Sequence, residues 1–234
     1  MAIRLYVEAD LAAGAGVTLA GGQAHYLRQV MRKGAGAEVL LFNGRDGEWR
    51  CTVAELDRHG GRVEVGEQRC SQVATVGPAL LFAPVKKDRV DFLLEKATEL
   101  GATALRPVIT QRTVVERVNL DRYRAICVEA AEQCGRLDLP DLSEPAPLRQ
   151  VLDAWPADAR LLFADTEGGT PIAGLAAATD AILIGPEGGF SEPERTLLAT
   201  ATAISLGPRI LRAETAAAAA LAQWQARFGS SETV

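Results

Sequence analysis

The sequence predicts an α/β protein in which a small β-rich segment precedes a larger domain with a largely parallel sheet. Up to about residue 72, short runs of alternating apolar and polar residues are separated by glycine-containing turns. From Ala79 onward, apolar runs of strand length alternate with segments of helical periodicity. We therefore expect a domain boundary near residue 73 and two domains, 1–72 and 73–234.

The N-terminal segment contains four strand candidates and one helix. Its apolar and polar residues alternate, as in half-buried strands, at residues 3–7, 38–42, 49–54 and 62–65. A helix is predicted at 23–31, because basic and apolar side chains fall on different faces at helical spacing. The basic face holds His25, Arg28 and Arg32, and the apolar face holds Leu27, Val30 and Met31.

The C-terminal segment alternates strands with helices. Buried strands are predicted at residues 79–85, 104–108, 160–164, 181–184 and 203–206. Helical spacing of apolar residues over 90–100 ends at Gly101, a residue typical of a helix C-terminus. Asn119 is a helix N-cap candidate for a helix through about Gly135. Further helices are expected at 148–155, 193–201 and 214–228.

Charge gives little support to a generally basic surface. The chain has 234 residues, 48% of them hydrophobic and 24% charged, and a net charge of −5. Residues 1–72 contain nine Lys/Arg and nine Asp/Glu, and residues 73–234 contain sixteen and twenty-one. A nucleic-acid partner would therefore have to be bound by local arginine and lysine clusters.

Composition also argues against metal sites and membrane insertion. The four cysteines form no C-x-x-C pair and there are two histidines, so a zinc ligand set cannot be assembled and we expect no metal. Glu8 and Asp10 come before an apolar stretch of the kind found in signal peptides could form. No apolar run approaches the roughly 18 residues of a membrane span. We expect a cytoplasmic protein with reduced thiols and no membrane contact.

A candidate pocket lies where three predicted strands run into glycine-containing loops, at residues 163–169, 184–190 and 206–216. Because the carboxyl ends of parallel strands meet at one edge of a sheet, these loops should form a crevice. Glycines at 185, 188 and 189 would let the backbone approach a flat ligand closely. Ordinary strand-to-helix turns are the alternative explanation for each loop.

The loop at 184–190 does not fit a phosphate. A P-loop needs Lys-Ser/Thr after its glycines, whereas Phe190 follows Gly189, and Glu187 would place a carboxylate beside phosphate oxygens. The pattern G-x-G-x-x-G is absent as well. A neutral or cationic ligand with an aromatic ring fits these residues better.

The stretch 207–216 carries several polar side chains directly before a helix. Glu214 and Thr215 can sit in the first helical turn, where they would satisfy free amides. This capping role leaves Arg209 and Arg212 unexplained beside the expected pocket.

Five motifs together resemble one known family. They are H-Y-L-R-Q-V-M-R at 25–32, K-A-T-E-L-G at 96–101, E-A-A-E-Q-C-G-R at 129–136, G-P-E-G-G-F at 185–190 and L-G-P-R-I-L-R-A-E-T-A at 206–216. In this order they resemble the RsmE family of the SPOUT class. Those enzymes methylate N3 of a uridine in small-subunit ribosomal RNA with S-adenosylmethionine.

The resemblance implies an N-terminal PUA-like β-barrel that binds RNA, a C-terminal α/β domain with a trefoil knot, and a homodimer. The expected partner is 16S ribosomal RNA within the small ribosomal subunit. S-adenosylmethionine would lie among the three loops. The residues expected to hold it are Leu162, Phe163, Ala164, Ile184, Gly185, Pro186, Glu187, Gly188, Gly189, Leu206, Gly207, Ile210, Leu211 and Thr215.

Catalytic residues are predicted in the stretch 207–216, and RNA-binding residues among the basic side chains of both domains. Arg212 is expected to orient the nucleotide or stabilise its developing anion, and Glu214 to accept the N3 proton. We expect Trp224, in the alanine-rich last helix, to anchor the dimer. Phosphate contacts are expected from Arg28, Arg32, Lys86, Arg112, Arg117 and Arg136.

Two other classes of protein remain open at this point. A non-catalytic RNA-binding protein would not bind S-adenosylmethionine. A nucleotide-dependent enzyme with a doubly wound sheet would need phosphate ligands that the loops lack.

Overall fold

A computed structural model of the chain describes residues 2–115, 117–175, 178 and 181–229. They form two compact units. The first contains residues up to Ala74 together with Ala131–Leu139, and the second contains Thr75–Ala130 and the residues from Pro140 onward. The first break falls two residues after the expected 72. No pattern in the sequence indicated that residues 131–139 pack with the first unit, so the expected domain 73–234 is corrected there.

The first unit is built on one five-stranded sheet. Its strands run in the order β1-β3-β4-β5-β2; β1 and β3 are parallel and the other neighbours antiparallel. The four predicted strands are present, and those expected at 49–54 and 62–65 are longer than predicted. The strand β2 was missed because its apolar run is short and follows two glycines. The strands are β1 (Arg4–Tyr6), β2 (Gly16–Leu19), β3 (Glu38–Phe42), β4 (Glu48–Leu56) and β5 (Gly61–Cys70).

The predicted helix of the first unit begins at Gly21 and changes character midway. The α-helix α1 (Gly21–His25) continues as a π-helical turn, Tyr26–Val30. A π turn has more residues per turn, so the face expected from α-helical spacing is rotated. Leu27 is fully buried as expected, whereas Val30 is 60% exposed, which corrects its placement on the apolar face.

The second unit contains a sheet of eight strands in the order β11-β13-β10-β12-β6-β7-β8, with β9 also paired to β7. Every pairing in it is parallel, as the sequence predicted. The strands missed by the sequence have two residues each. The strands are β6 (Ala79–Phe82), β7 (Ala104–Ile109), β8 (Asp141–Leu142), β9 (Ala146–Pro147), β10 (Leu161–Ala164), β11 (Thr170–Pro171), β12 (Ala181–Ile184) and β13 (Thr202–Ser205).

In the described part of the chain, four α-helices lie between these strands and a fifth follows the last strand, all close to the predicted positions. Asn119 caps its helix through Oδ1, which accepts a hydrogen bond from the Arg122 amide at 3.0 Å. Gly101 has φ +79°, the left-handed conformation of a helix C-terminus. The helices are α2 (Lys87–Glu99), α3 (Leu120–Cys134), α4 (Leu148–Asp153), α5 (Glu192–Leu197) and α6 (Ala213–Phe228).

The core of the second unit lies on both faces of its sheet. Alternate residues of each strand point to opposite sides, so Leu80 faces α2 and α6 while Leu81 packs on the side of α4. Trp224 of α6 is only 4% exposed and belongs to the α2 side of this core. The expectation that Trp224 anchors a dimer is therefore wrong, because its ring is already buried within the chain. None of the described helices is long and apolar enough to cross a membrane.

Arg4 joins the sheet of the first unit to residues 131–136 and also forms a buried ion pair within that sheet. The Arg4 side chain is 8% exposed and its Nε donates to Glu48 at 2.7 Å, a carboxylate only 2% exposed. The other guanidinium nitrogens donate to three backbone carbonyls, those of Ala131 (2.6 Å), Glu132 (3.1 Å) and Arg136 (3.0 Å). Since the last carbonyls of a helix lack intrahelical partners, Arg4 satisfies the end of α3 while it neutralises Glu48.

We expect Arg4→Met to lower the free energy of unfolding by about 3 kcal/mol, because it removes one partner of a buried pair and the donor to three backbone carbonyls. The substitution retains much of the stem, leaves those carbonyls without Arg4, and leaves Glu48 with Arg69 as its remaining cation. Urea denaturation followed by circular dichroism measures the change. Arg45→Met is the matched control, because its ion pair with Asp10 is exposed (49% and 93%) and should contribute little. Equal losses in the two variants would contradict a structural role for Arg4.

Candidate functional site

Three loops of the second unit enclose a cavity of about 470 Å³, a volume typical of small-molecule sites. The loops follow β10, β12 and β13, which are neighbours in the sheet. Phe163 of β10 is paired with Leu183 on one side and Ala203 on the other, so the three strands end side by side. The structure therefore brings the three loops of the predicted pocket together.

Most residues expected to hold the cofactor line this cavity. The loop after β12 provides five consecutive ones, the loop after β13 provides four, and the last residues of β10 and β12 provide the other two. Those that line it are Ala164, Ile184, Gly185, Pro186, Glu187, Gly188, Gly189, Leu206, Gly207, Ile210 and Leu211.

Three expected residues lie elsewhere. Leu162 and Phe163 are buried in β10, at 4% and 7% exposure. The Phe163 ring packs edge-on against Phe190 at 6.0 Å and so supports the loop that carries Gly185–Gly189. Thr215 is exposed and is not part of the cavity wall. These residues can support the site but do not form its surface.

The two expected catalytic residues do not line the cavity either. Arg212 is exposed, and its backbone carbonyl accepts the Ala216 amide at 2.8 Å at the start of α6. Glu214 is 8% exposed, and its Oε1 lies 3.9 Å from Nε of Arg89 in α2. The Glu214 carboxylate is thus paired with a cation, and Glu214 is not among the residues that line the cavity.

Glycine is required at two points of the cavity wall. A Cβ at Gly185 would lie 2.8 Å from the Phe190 ring, closer than side chains pack. Gly207 has φ +125°, a conformation that residues with a side chain rarely adopt. The loops can therefore keep these conformations only with glycine.

A fixed ion pair forms another part of the wall. Arg195 of α5 donates through both terminal nitrogens to Asp165, at 2.8 and 2.9 Å, and also lies 2.9 Å from Glu167. Hydrogen bonding by this guanidinium lowers the pKa of Asp165, so the carboxylate stays ionised. Arg195 had no signal in the sequence, because it follows Asp165 by thirty residues and only the fold brings them together.

Other lining residues were not named as cofactor-binding from the sequence, although all except Arg195 and Ser205 fall within the three predicted loops. Two of them, Ala213 and Ala216, belong to the first turns of α6, where helix formation alone seemed to explain alanine. The polar residues Asp165, Thr166 and Glu167 lay within a predicted loop but were not assigned a role. The remaining members of this set are Gly168, Phe190, Arg195, Ser205, Pro208 and Arg209.

The basic residues expected to contact phosphate differ in accessibility. In the second unit, Lys86, Arg112 and Arg117 are exposed, although Arg112 also donates to the carbonyl of Gly188. In the first unit, Arg32 is exposed and Arg28 is half-buried. Arg136 does not fit the prediction, as its side chain is 6% exposed and donates to Asp138 at 2.6 Å. Among the residues that the structure describes, no group of three or more His, Cys, Asp or Glu is placed to hold a metal ion.

Comparison with known proteins gives two family matches. The RNA methyltransferase domain matches residues 76–225, and the RNA methyltransferase PUA domain matches residues 19–66. Together they cover parts of both units.

Individual relatives match along nearly the whole chain. Ribosomal RNA small subunit methyltransferase E of Rickettsia conorii is 32% identical over 230 residues, which cover 94% of this chain and 93% of the relative. The Synechocystis protein of the same name is 34% identical and covers 98% and 79%. A crystal structure of the Neisseria gonorrhoeae protein of that name, bound to S-adenosyl methionine, superposes with a TM-score of 0.88 at 31% identity, covering 97% and 98%. On these matches, the chain belongs to the ribosomal RNA small subunit methyltransferase E family.

Proposed function

We propose that this protein transfers a methyl group from S-adenosylmethionine to N3 of a uridine in 16S ribosomal RNA. The observation that carries this proposal is the cavity formed by the loops after β10, β12 and β13 in a chain of this family. The Neisseria relative, similar over 97% of this chain, is described with the same cofactor bound. The substrate within the small ribosomal subunit and a cytoplasmic location are further parts of the proposal.

The residues that line the cavity fit S-adenosylmethionine. The loop after β12 offers backbone groups at Gly185 and Gly188, and it has no Lys-Ser/Thr pair that would select a phosphate. The ionised carboxylate of Asp165 is compatible with a positively charged group. When bound, the cofactor supplies an electrophilic methyl group on a sulfonium. Backbone groups of Ile184–Gly189 and Leu206–Leu211 would hold it, with Ala213 and Ala216 closing one side.

The residues of the protein must orient the uridine and allow its N3 proton to be removed. Uridine N3 carries a proton that must leave when the new N–C bond forms, and charge develops on the ring oxygens as it leaves. Arg212 lies between Leu211 and Ala213, which both line the cavity, and its guanidinium is exposed. We assign Arg212 the role of holding the nucleotide and stabilising that charge. Because the Glu214 carboxylate is paired with Arg89, we propose that water or a group of the RNA accepts the N3 proton.

The finer features of the fold belong to the same proposal. We propose that the five-stranded sheet of the first unit closes as a PUA-like barrel that binds RNA, which is supported by the PUA-domain match. We also propose that the second unit contains the trefoil knot of the SPOUT class. Its support is the resemblance of the loop motifs and the order in which β10, β12 and β13 are placed in the sheet.

One experiment tests the reaction and the cavity together. The purified protein is incubated with S-adenosylmethionine and 16S ribosomal RNA or small subunits from a strain that lacks this activity, and nucleosides are analysed by mass spectrometry. We expect 3-methyluridine with the unaltered chain. Ala216→Leu should abolish cofactor binding in calorimetry, because Ala216 is 8% exposed and its larger replacement fills the cavity.

The matched control is Ala226→Leu, which adds the same side chain at an exposed position of α6. It should bind the cofactor as the unaltered chain does. Undiminished binding by folded Ala216→Leu would contradict the position of the cofactor site. The absence of 3-methyluridine with every substrate form would contradict the reaction.

RNA binding by the first unit should depend on Arg28 and Arg32. Each phosphate contact that is lost should reduce the slope of log affinity against log salt by about one unit. The Arg28→Ala/Arg32→Ala variant is therefore expected to bind RNA with a shallower slope, measured by fluorescence anisotropy at several salt concentrations. Arg45→Ala is the control, since its guanidinium is paired with Asp10 in the same unit. If the slope matches that of the control, Arg28 and Arg32 do not contact RNA phosphates.

We also propose a homodimer, which the family resemblance implies. Val114 and Ile210 in the second unit support it, since they are 81% and 82% exposed and apolar. An association interface would bury such side chains. Sedimentation equilibrium at micromolar concentration should give about twice the monomer mass of 24.8 kDa. A mass of one chain would contradict the dimer.

A further inference from the structure

We infer that Arg89 is a positioning residue that sets the spacing between two walls of the cavity, an inference that rests on the proposed function. Arg89 lies in the first turn of α2 and is not part of the cavity wall. Its guanidinium forms ion pairs with Glu187 and Glu214. One of these carboxylates belongs to the loop after β12, and the other to the first turn of α6.

Each carboxylate is attached to a different wall. Glu187 lines the cavity between Pro186 and Gly188. Glu214 lies directly after Ala213 and two residues before Ala216, and both alanines line the cavity from α6. A guanidinium that holds both carboxylates therefore fixes the loop relative to the helix.

Burial makes the pair with Glu214 important for local structure. The Glu214 side chain is 11% exposed, and its Oε2 is buried with no hydrogen-bond partner among the described residues. A carboxylate in such surroundings is costly unless a cation lies close by. Within the described residues, Arg89 is the cation within 4 Å of Glu214, so it offsets this cost as well as holding Glu187.

The packing around Arg89 keeps its position fixed. In α2, Val90, Leu93 and Leu94 are buried in the core that α6 also joins through Ala217 and Leu221. Two packed helices shift little relative to each other, because close-packed side chains resist displacement. The ion pair with Arg89 thus holds Glu187 at a fixed distance from the packed helices α2 and α6, although the Glu187 side chain is itself 55% exposed.

Arginine fits this role better than lysine. A guanidinium has five donors on a planar group and can engage two carboxylates at once, whereas an ammonium is a compact point charge. Arg89→Lys should therefore retain part of the effect by pairing with one carboxylate. Arg89→Met, which keeps an unbranched stem, should lose both pairs.

The test measures cofactor binding and kinetics in the full-length protein. We expect Arg89→Met to weaken S-adenosylmethionine binding roughly tenfold in calorimetry, the effect of losing about one charge-assisted contact. Arg89→Lys should fall between this variant and the unaltered chain. In methylation assays, the KM for the cofactor should rise more than kcat falls, because the reacting atoms do not touch Arg89.

A matched control separates positioning from general stability. Arg122 also forms an ion pair with an acidic residue of α2, Asp91, and its side chain is 30% exposed against 34% for Arg89. Neither residue lines the cavity. Arg122→Met should leave cofactor affinity unchanged even if it lowers the melting temperature.

Three outcomes separate the role of Arg89 from the proposed function. If the unaltered chain binds the cofactor and folded Arg89→Met binds it equally well, the role of Arg89 is refuted while the proposed function stands. If Arg122→Met weakens binding as much as Arg89→Met, loss of an α2 ion pair is the cause and positioning is likewise refuted. Failure of the unaltered chain to bind S-adenosylmethionine contradicts the proposed function itself.

Discussion

The parallel alignment of β10, β12 and β13 is the constraint on which the candidate site depends. Because β10 lies between the other two, all three strands end at the same edge of the sheet. The chain then leaves β12 toward the face covered by α4 and leaves β13 toward the face covered by α2. Loops that depart to opposite faces leave a crevice between them, as at the switch points of other parallel sheets. The cavity therefore follows from the strand order, and the glycines let its wall approach a ligand.

Arginines of the helices form ion pairs with the acidic residues around this crevice. Asp165 is held by Arg195 of α5, while Glu187 and Glu214 share Arg89 of α2. Each guanidinium is supplied by an element other than the one that carries the carboxylate, so the pairs join parts of the site that the backbone alone does not connect. Their donors also fix the carboxylates in place, which a mobile counterion would not do.

The sequence predicts the loops of the site better than its side-chain contacts. The loops could be located because buried strands are visible as apolar runs, and glycine marks where each run ends. Arg89 and Arg195 could not be found in this way, since each is paired with a residue far along the chain. The return of residues 131–139 to the first unit was hidden for the same reason. Arg4 donates to the carbonyls of Ala131, Glu132 and Arg136, yet in the sequence it is an ordinary charged residue of a short strand.

The alanines of α6 have an explanation within a single chain. Alanine favours helix formation at any position, and its small size was also compatible with close approach of a second copy. In the structure Ala217 and Ala220 are buried against the core that includes α2, while Ala213 and Ala216 form part of the cavity wall. Larger residues at the first pair would separate α6 from α2, and at the second pair they would fill the cavity. Trp224 and Phe228 follow once the helix has passed the cavity, with ring centroids 5.9 Å apart, so the aromatic side chains of α6 lie where no ligand space has to be kept.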